Sequence, residues 1–214
     1  MMDAAVRTAR VAFLQEYCGV PYSVIEDHSW AQWEHPYNGW SVAHFLAEYL
    51  NSQDARPEEW EALQVDDFLH RFVRRGGNLD TVVRPWEPAQ GKTPLLMVCQ
   101  KQARRQYHSE EHEGAVAELA RLFLKWGASP EMRQQVPNGR SPLAVAASQN
   151  RMAVAACLIA YGASPFSCSE PGGESVIDFL RHNRFHGAKR IGELTLLYNM
   201  RHPRDEPSLA DIDL

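Results

Sequence analysis

Long apolar runs are missing from this chain. Nothing in its 214 residues approaches the roughly 20 consecutive apolar residues that cross a bilayer, so the sequence does not read as an integral membrane protein. Lysine is scarce, 4 residues against 18 arginines, and the arginines are scattered within a chain of net charge −5. No basic stripe forms, which argues against an extended phosphate-binding face and against nucleic acid as a partner. Four cysteines, Cys18, Cys99, Cys157 and Cys168, stand too far apart for C-x-x-C chemistry, and reduced thiols are expected. The N-terminal "MMDAAVRTARVAFLQEYCG" lacks the uninterrupted apolar core and the small-residue cleavage site of a signal peptide. Val6, Ala9, Val11, Phe13, Leu14 and Tyr17 instead make it amphipathic, which predicts a helix of a cytoplasmic protein. What remains is ordinary for a folded domain: 44% hydrophobic and 23% charged residues.

The informative feature is an internal repeat. "GKTPLLMVC" from Gly91 and "GRSPLAVAA" from Gly139 share glycine, a basic residue, a hydroxyl residue, proline and leucine in register. Downstream, "LFLKWGASP" (Leu122 to Pro130) and "CLIAYGASP" (Cys157 to Pro165) match each other, and "RFVRRGGNL" from Arg71 is a weaker copy. Thr93 or Ser141 can cap a helix whose first turn accepts Pro94 or Pro142, since proline lacks only an amide hydrogen that would be unpaired there. Gly76, Gly127 and Gly162 follow apolar helical runs and supply the left-handed residue that ends a helix. The unit is therefore helix, turn, helix, loop. The small residues Ala144, Ala146 and Ala147 permit close packing, and stacked units would share one core.

These residues resemble the ankyrin repeat, whose pattern reads G-x-T-P-L-H-x-A-A in the first helix and L-L-x-x-G-A-x-P after the second. The resemblance implies an all-α, ankyrin-like α-solenoid of about four helix-turn-helix repeats with β-hairpin-type loops. Residues 1–38 form an N-terminal helical cap, 39–200 the repeats (about 39–90, 91–138, 139–172 and 173–200) and 201–214 an acidic tail. "GWSVAHFLAEY" from Gly39 is the degenerate first copy and keeps His44 at the family's histidine position, where that side chain ties loop to helix. Leu96 and Ala144 replace the histidine in the next two copies, and Arg181 stands where the last copy would carry alanine.

Gly139 to Gly162 spans 23 residues, the spacing that the family pattern implies, whereas Gly91 to Gly127 spans 36 and Gly39 to Gly76 spans 37. The extra segments contain "HSEEHEG" and "NSQDARPEEWE"; in the latter, Pro57, Glu58 and Glu59 have the character of a new helix start. Inserts of nearly equal length predict paired helix extensions. "HSEEHEG" carries an H-x-x-E-H spacing at His108, Glu111 and His112, which in a zinc peptidase would ligate a metal and activate water. A helix-end insert offers neither a packed helix nor a third ligand, so a polar turn is the expectation and no metal or cofactor is assigned. His182 and His186 read as surface histidines. "QGKTP" is not a phosphate loop, because Trp86 stands where its first glycine is needed.

The resemblance implies a non-catalytic protein-binding module rather than an enzyme. Its contacts would come from positions that stacking leaves free: the residue after each leading glycine, the end of each first helix, and the loop tips. Here these are Trp40, Lys92, Arg140 and Glu174; Glu48, Tyr49, Gln100, Lys101, Ser148 and Gln149; and Arg84, Trp86, Arg133 and Phe166. The basic middle of this face suits a protein with an acidic patch. One version is an immunity or antitoxin protein that blocks a bacterial toxin. The alternatives are a pathogen effector that holds a host protein, and a metal-dependent hydrolase using the H-x-x-E-H insert.

Overall fold

The computed structural model describes residues 3–52, 57–83, 91–100, 110–136, 139–166, 174–182 and 187–201. Eleven α-helices lie among them: α1 (Ala4–Ala12), α2 (Tyr22–Glu26), α3 (Val42–Asn51), α4 (Pro57–Leu63), α5 (Val65–Arg74), α6 (Pro94–Cys99), α7 (Glu110–Lys125), α8 (Pro142–Ser148), α9 (Met152–Ala160), α10 (Val176–His182) and α11 (Gly187–Arg201). The protein is all-α. The described residues hold no strand beyond one isolated bridge between Glu34 and Ser41, and none of their helices is long and apolar enough to cross a membrane.

The same local chemistry starts one helix in each unit. Thr93 Oγ accepts from the Leu96 amide, Ser141 Oγ from Ala144, and Ser175 Oγ from Asp178, at 3.3, 3.2 and 3.1 Å. At Ser41 the bonding is reciprocal: its side chain accepts from the His44 amide while its own amide donates to His44 Nδ1 at 3.1 Å. All four hydroxyl residues are buried. The stops are equally uniform. Gly76, Gly127 and Gly162 have φ of 81°, 102° and 102°. The amides of the next residues, Gly77, Ala128 and Ala163, reach back to the carbonyls of Phe72, Phe123 and Leu158.

The loops before α3, α6 and α8 close through backbone bonds at their bases: His35 to Trp40, Val83 to Lys92 and Gln134 to Arg140. The Gln135 amide then donates to the Gly91 carbonyl at 2.7 Å, tying one loop to the next. This is hairpin-like bonding without strands among the described residues.

Helices α3, α6, α8 and α10 pack in sequence as one row, and α5, α7, α9 and α11 as a second. Leu46, Leu50, Leu95, Leu143, Ala146, Leu119, Phe123 and Leu158 fill the space between them. At the N-terminal end α1 packs on α4, and a π-helical turn at Phe13–Tyr17 follows α1. The described parts of the two inserts differ. α7 continues through Gly114 as one 16-residue helix, whereas α4 is separated from α5 by Gln64 at φ 44°.

Two buried arginines join distant elements. Arg10 on α1 donates to the Leu63 and Gln64 carbonyls and to Asp67, at 2.9, 3.1 and 2.9 Å. Arg151, before α9, is 1% exposed and donates through Nη1 to Asn51 Oδ1 and the Val98 carbonyl, both at 2.8 Å. Glu113 on α7 lies 3.8 Å from its Nε. The insert's last acid thus faces a buried cation and is not in a wholly solvated turn.

Candidate binding surface

Helices α6 and α8 lie side by side with their N-caps, Thr93 and Ser141, at equivalent positions, so residues preceding those caps and residues at the helix ends share one face. Between them is a pocket of about 350 Å³. Leu96 and Val145 are its apolar lining, Lys92 and Gln100 come from one unit, and Arg140, Ser148 and Gln149 from the next. Gln134 completes it from the loop. Lys92 Nζ donates to Gln100 Oε1 at 2.5 Å, so the long side chain lies along α6. Burial pulls the Lys92 ammonium below the usual lysine range, and nearby Glu48 partly opposes that shift. Among the described residues no carboxylate lines the pocket. With two cations and four neutral polar groups, it can receive a carboxylate or another acceptor-rich group.

Lys92, Gln100, Arg140 and Gln149 are therefore brought together. Glu48 is half-buried nearby on α3. Trp40 is half-buried over His44 and Phe45, with ring centroids 6.3 and 5.1 Å away, so it takes part in packing. Tyr49 lies instead against Phe13 and Tyr17 of the N-terminal segment, at 5.6 and 4.7 Å. Arg133 donates to the Gly139 carbonyl at 3.4 Å and is half-buried in its loop. Phe166 is exposed beside Tyr198, and exposed Glu174 pairs with His182. Lys101, Arg84 and Trp86 lie outside the described residues. Gln134 was not among the expected residues; its signal is its place in the loop that pairs back to Arg140.

His44 orders the edge of this face. The Ser41 amide donates to its Nδ1, which fixes the proton on Nε2, and Nε2 donates to the Lys92 carbonyl at 3.3 Å. That bond holds the backbone of Lys92. Burial pushes the imidazole down to about 4, so it is neutral at physiological pH.

The rival metal chemistry falls largely outside the described residues. His112 is half-buried in the first turn of α7, while His108 and the Glu111 side chain lie outside the described residues, as do Cys168 and His186. Among the described residues no three His, Cys, Asp or Glu gather as a metal site would need. Cys18 and Cys99 are buried free thiols and Cys157 a half-buried one. Burial raises all three, Cys99 to about 12, so they are poor nucleophiles at neutral pH. No protein-family model matches this chain, and a search of curated proteins finds no match to it.

Proposed function

We propose that this chain is an ankyrin-like α-solenoid of about four repeats that acts as a non-catalytic protein-binding module, masking one acidic surface of a specific partner as an immunity protein masks a toxin. The observation that carries this function is the convergence of Lys92, Gln100, Arg140 and Gln149, from two successive units, on one pocket. None of the four belongs to the buried core. Support for the architecture comes from the recurring hydroxyl start and left-handed glycine stop, and from the two rows of helices that pack in order. A rigid stack loses little chain entropy on binding, so a modest polar face can be selective.

Quantitative affinity purification tests the proposal, with the unmodified chain and the Lys92→Glu, Arg140→Glu double variant as paired baits. A protein retained by the first and lost by the second is expected. An identical set of proteins on both baits would overturn it.

A further inference from the structure

The end of α3 lies against the end of α6, because Asn51 Nδ2 donates to the Met97 and Gln100 carbonyls, both at 2.9 Å. Glu48, on the same helix, is near enough to the cationic pocket to act on its Lys92, while Tyr49 beside it in sequence packs on the N-terminal Phe13 and Tyr17. There lies a second, mostly apolar groove of about 300 Å³, lined by Ala9, Phe13, Tyr17, Tyr49, Ala62 and Leu63. Among the described residues, Glu16 alone brings a charge to its lining. Glu48, on α3, is near enough to both sites to act electrostatically on Tyr17 of the groove and on Lys92 of the pocket.

We infer that groove and pocket together read one extended, acidic segment of a partner protein, a bulky apolar side chain entering the Tyr17–Tyr49 groove and a carboxylate side chain entering between Lys92 and Arg140. This rests on the protein-binding function just proposed and adds the chemistry of the ligand. Charge sets the direction. Glu16 repels a carboxylate from the groove, while Lys92 and Arg140 attract it to the pocket. The groove is lined by tyrosine and phenylalanine rings packed on one another and by alanines, an apolar surface that favours an aromatic or branched aliphatic side chain.

Spacing follows from the helices. The groove lies beside α3 and the pocket between α6 and α8, so about two interhelical distances of 8–10 Å separate them. An extended chain covers that span with about five or six residues at roughly 3.3 Å each.

The test is selection of a random dodecapeptide library on the intact chain, followed by fluorescence anisotropy with the synthetic consensus peptide. The expected consensus carries Asp or Glu about five or six residues from Phe, Trp or Leu. Its acid changed to the amide, or Lys92→Glu in the protein, should weaken binding by about tenfold or more. Its apolar residue changed to Ala should do the same, as should Ala62→Trp, which fills the groove from an exposed helix position. Thermal melts of each variant identify any loss that comes from unfolding. A consensus without the apolar residue, or binding indifferent to Ala62→Trp, overturns the two-pocket inference while leaving the protein-binding function standing. Peptides that bind the Lys92→Glu, Arg140→Glu variant equally well, or no enrichment at all, overturn both.

Discussion

His44 carries a pH dependence whose sign is fixed by its surroundings. The folded protein holds the ring neutral with a pKa of about 4, below the ordinary 6.5, so the unfolded chain binds the proton more readily. The stabilisation is complete above pH 6.5 and is lost as pH falls from there towards 4, amounting to about 3 kcal/mol over the full range. Urea unfolding at pH 7.5 and pH 5 should show about 2 kcal/mol of this loss in the native chain and a smaller one in His44→Gln; an equal pH dependence in the two would remove His44 from the account. Arg151 makes a second prediction at this scale. It is fully buried against Asn51, Val98 and Glu113, so Arg151→Ala should leave polar groups without their donor and cost on the order of 3–5 kcal/mol in denaturant unfolding. A loss below 1 kcal/mol would contradict that role. Neither arginine anchor was legible in the sequence. Arg151 lies 100 residues from Asn51 and Arg10 lies 57 from Asp67, and no local pattern records such a pairing.

At the scale of elements, punctuation decides the helices. Thr93-Pro94 and Ser141-Pro142 start them and Gly127 and Gly162 stop them, all readable because capping depends only on neighbours a few positions away. What could not be read was how the inserts pack. Pro57 marks the start of α4, yet the break at Gln64 and the packing of α4 on α1 depend on Arg10 reaching the Leu63 and Gln64 carbonyls. Two glycines with opposite expected effects test the assignment. A Cβ at Gly162 meets no atom within 4 Å, but its φ of 102° strains any side chain, so Gly162→Val should destabilise by about 1–2 kcal/mol or more. Gly114, inside α7, also has open space around it and no such φ, and Gly114→Ala should stabilise by about 0.5–1 kcal/mol. Thermal melts that reverse this order would contradict the helix boundaries. Shortening 107–113 should cost more than trimming a solvated loop, since it removes Glu113 from beside Arg151.

For the whole molecule, the candidate surface was legible in its centre and not at its edges. Lys92, Gln100, Arg140 and Gln149 follow from repeat register alone, because equivalent positions on stacked units point the same way. Tyr49 occupies an equivalent position too, but it packs on the N-terminal Phe13 and Tyr17 and lines the apolar groove instead of the cationic pocket. Trp40 packs over His44 and Phe45, so Trp40→Ala should lower the melting temperature rather than leave it unchanged. A partner held at the pocket should bind more weakly as salt rises, since half-exposed charges are screened. The most direct measurement is hydrogen exchange on the complex with the captured partner. Protection is predicted at α6, α8 and the 134–136 turn, with the outward-facing stretch of α7 around Glu118 and Arg121 unchanged; protection confined to α7 and α9 would contradict the account.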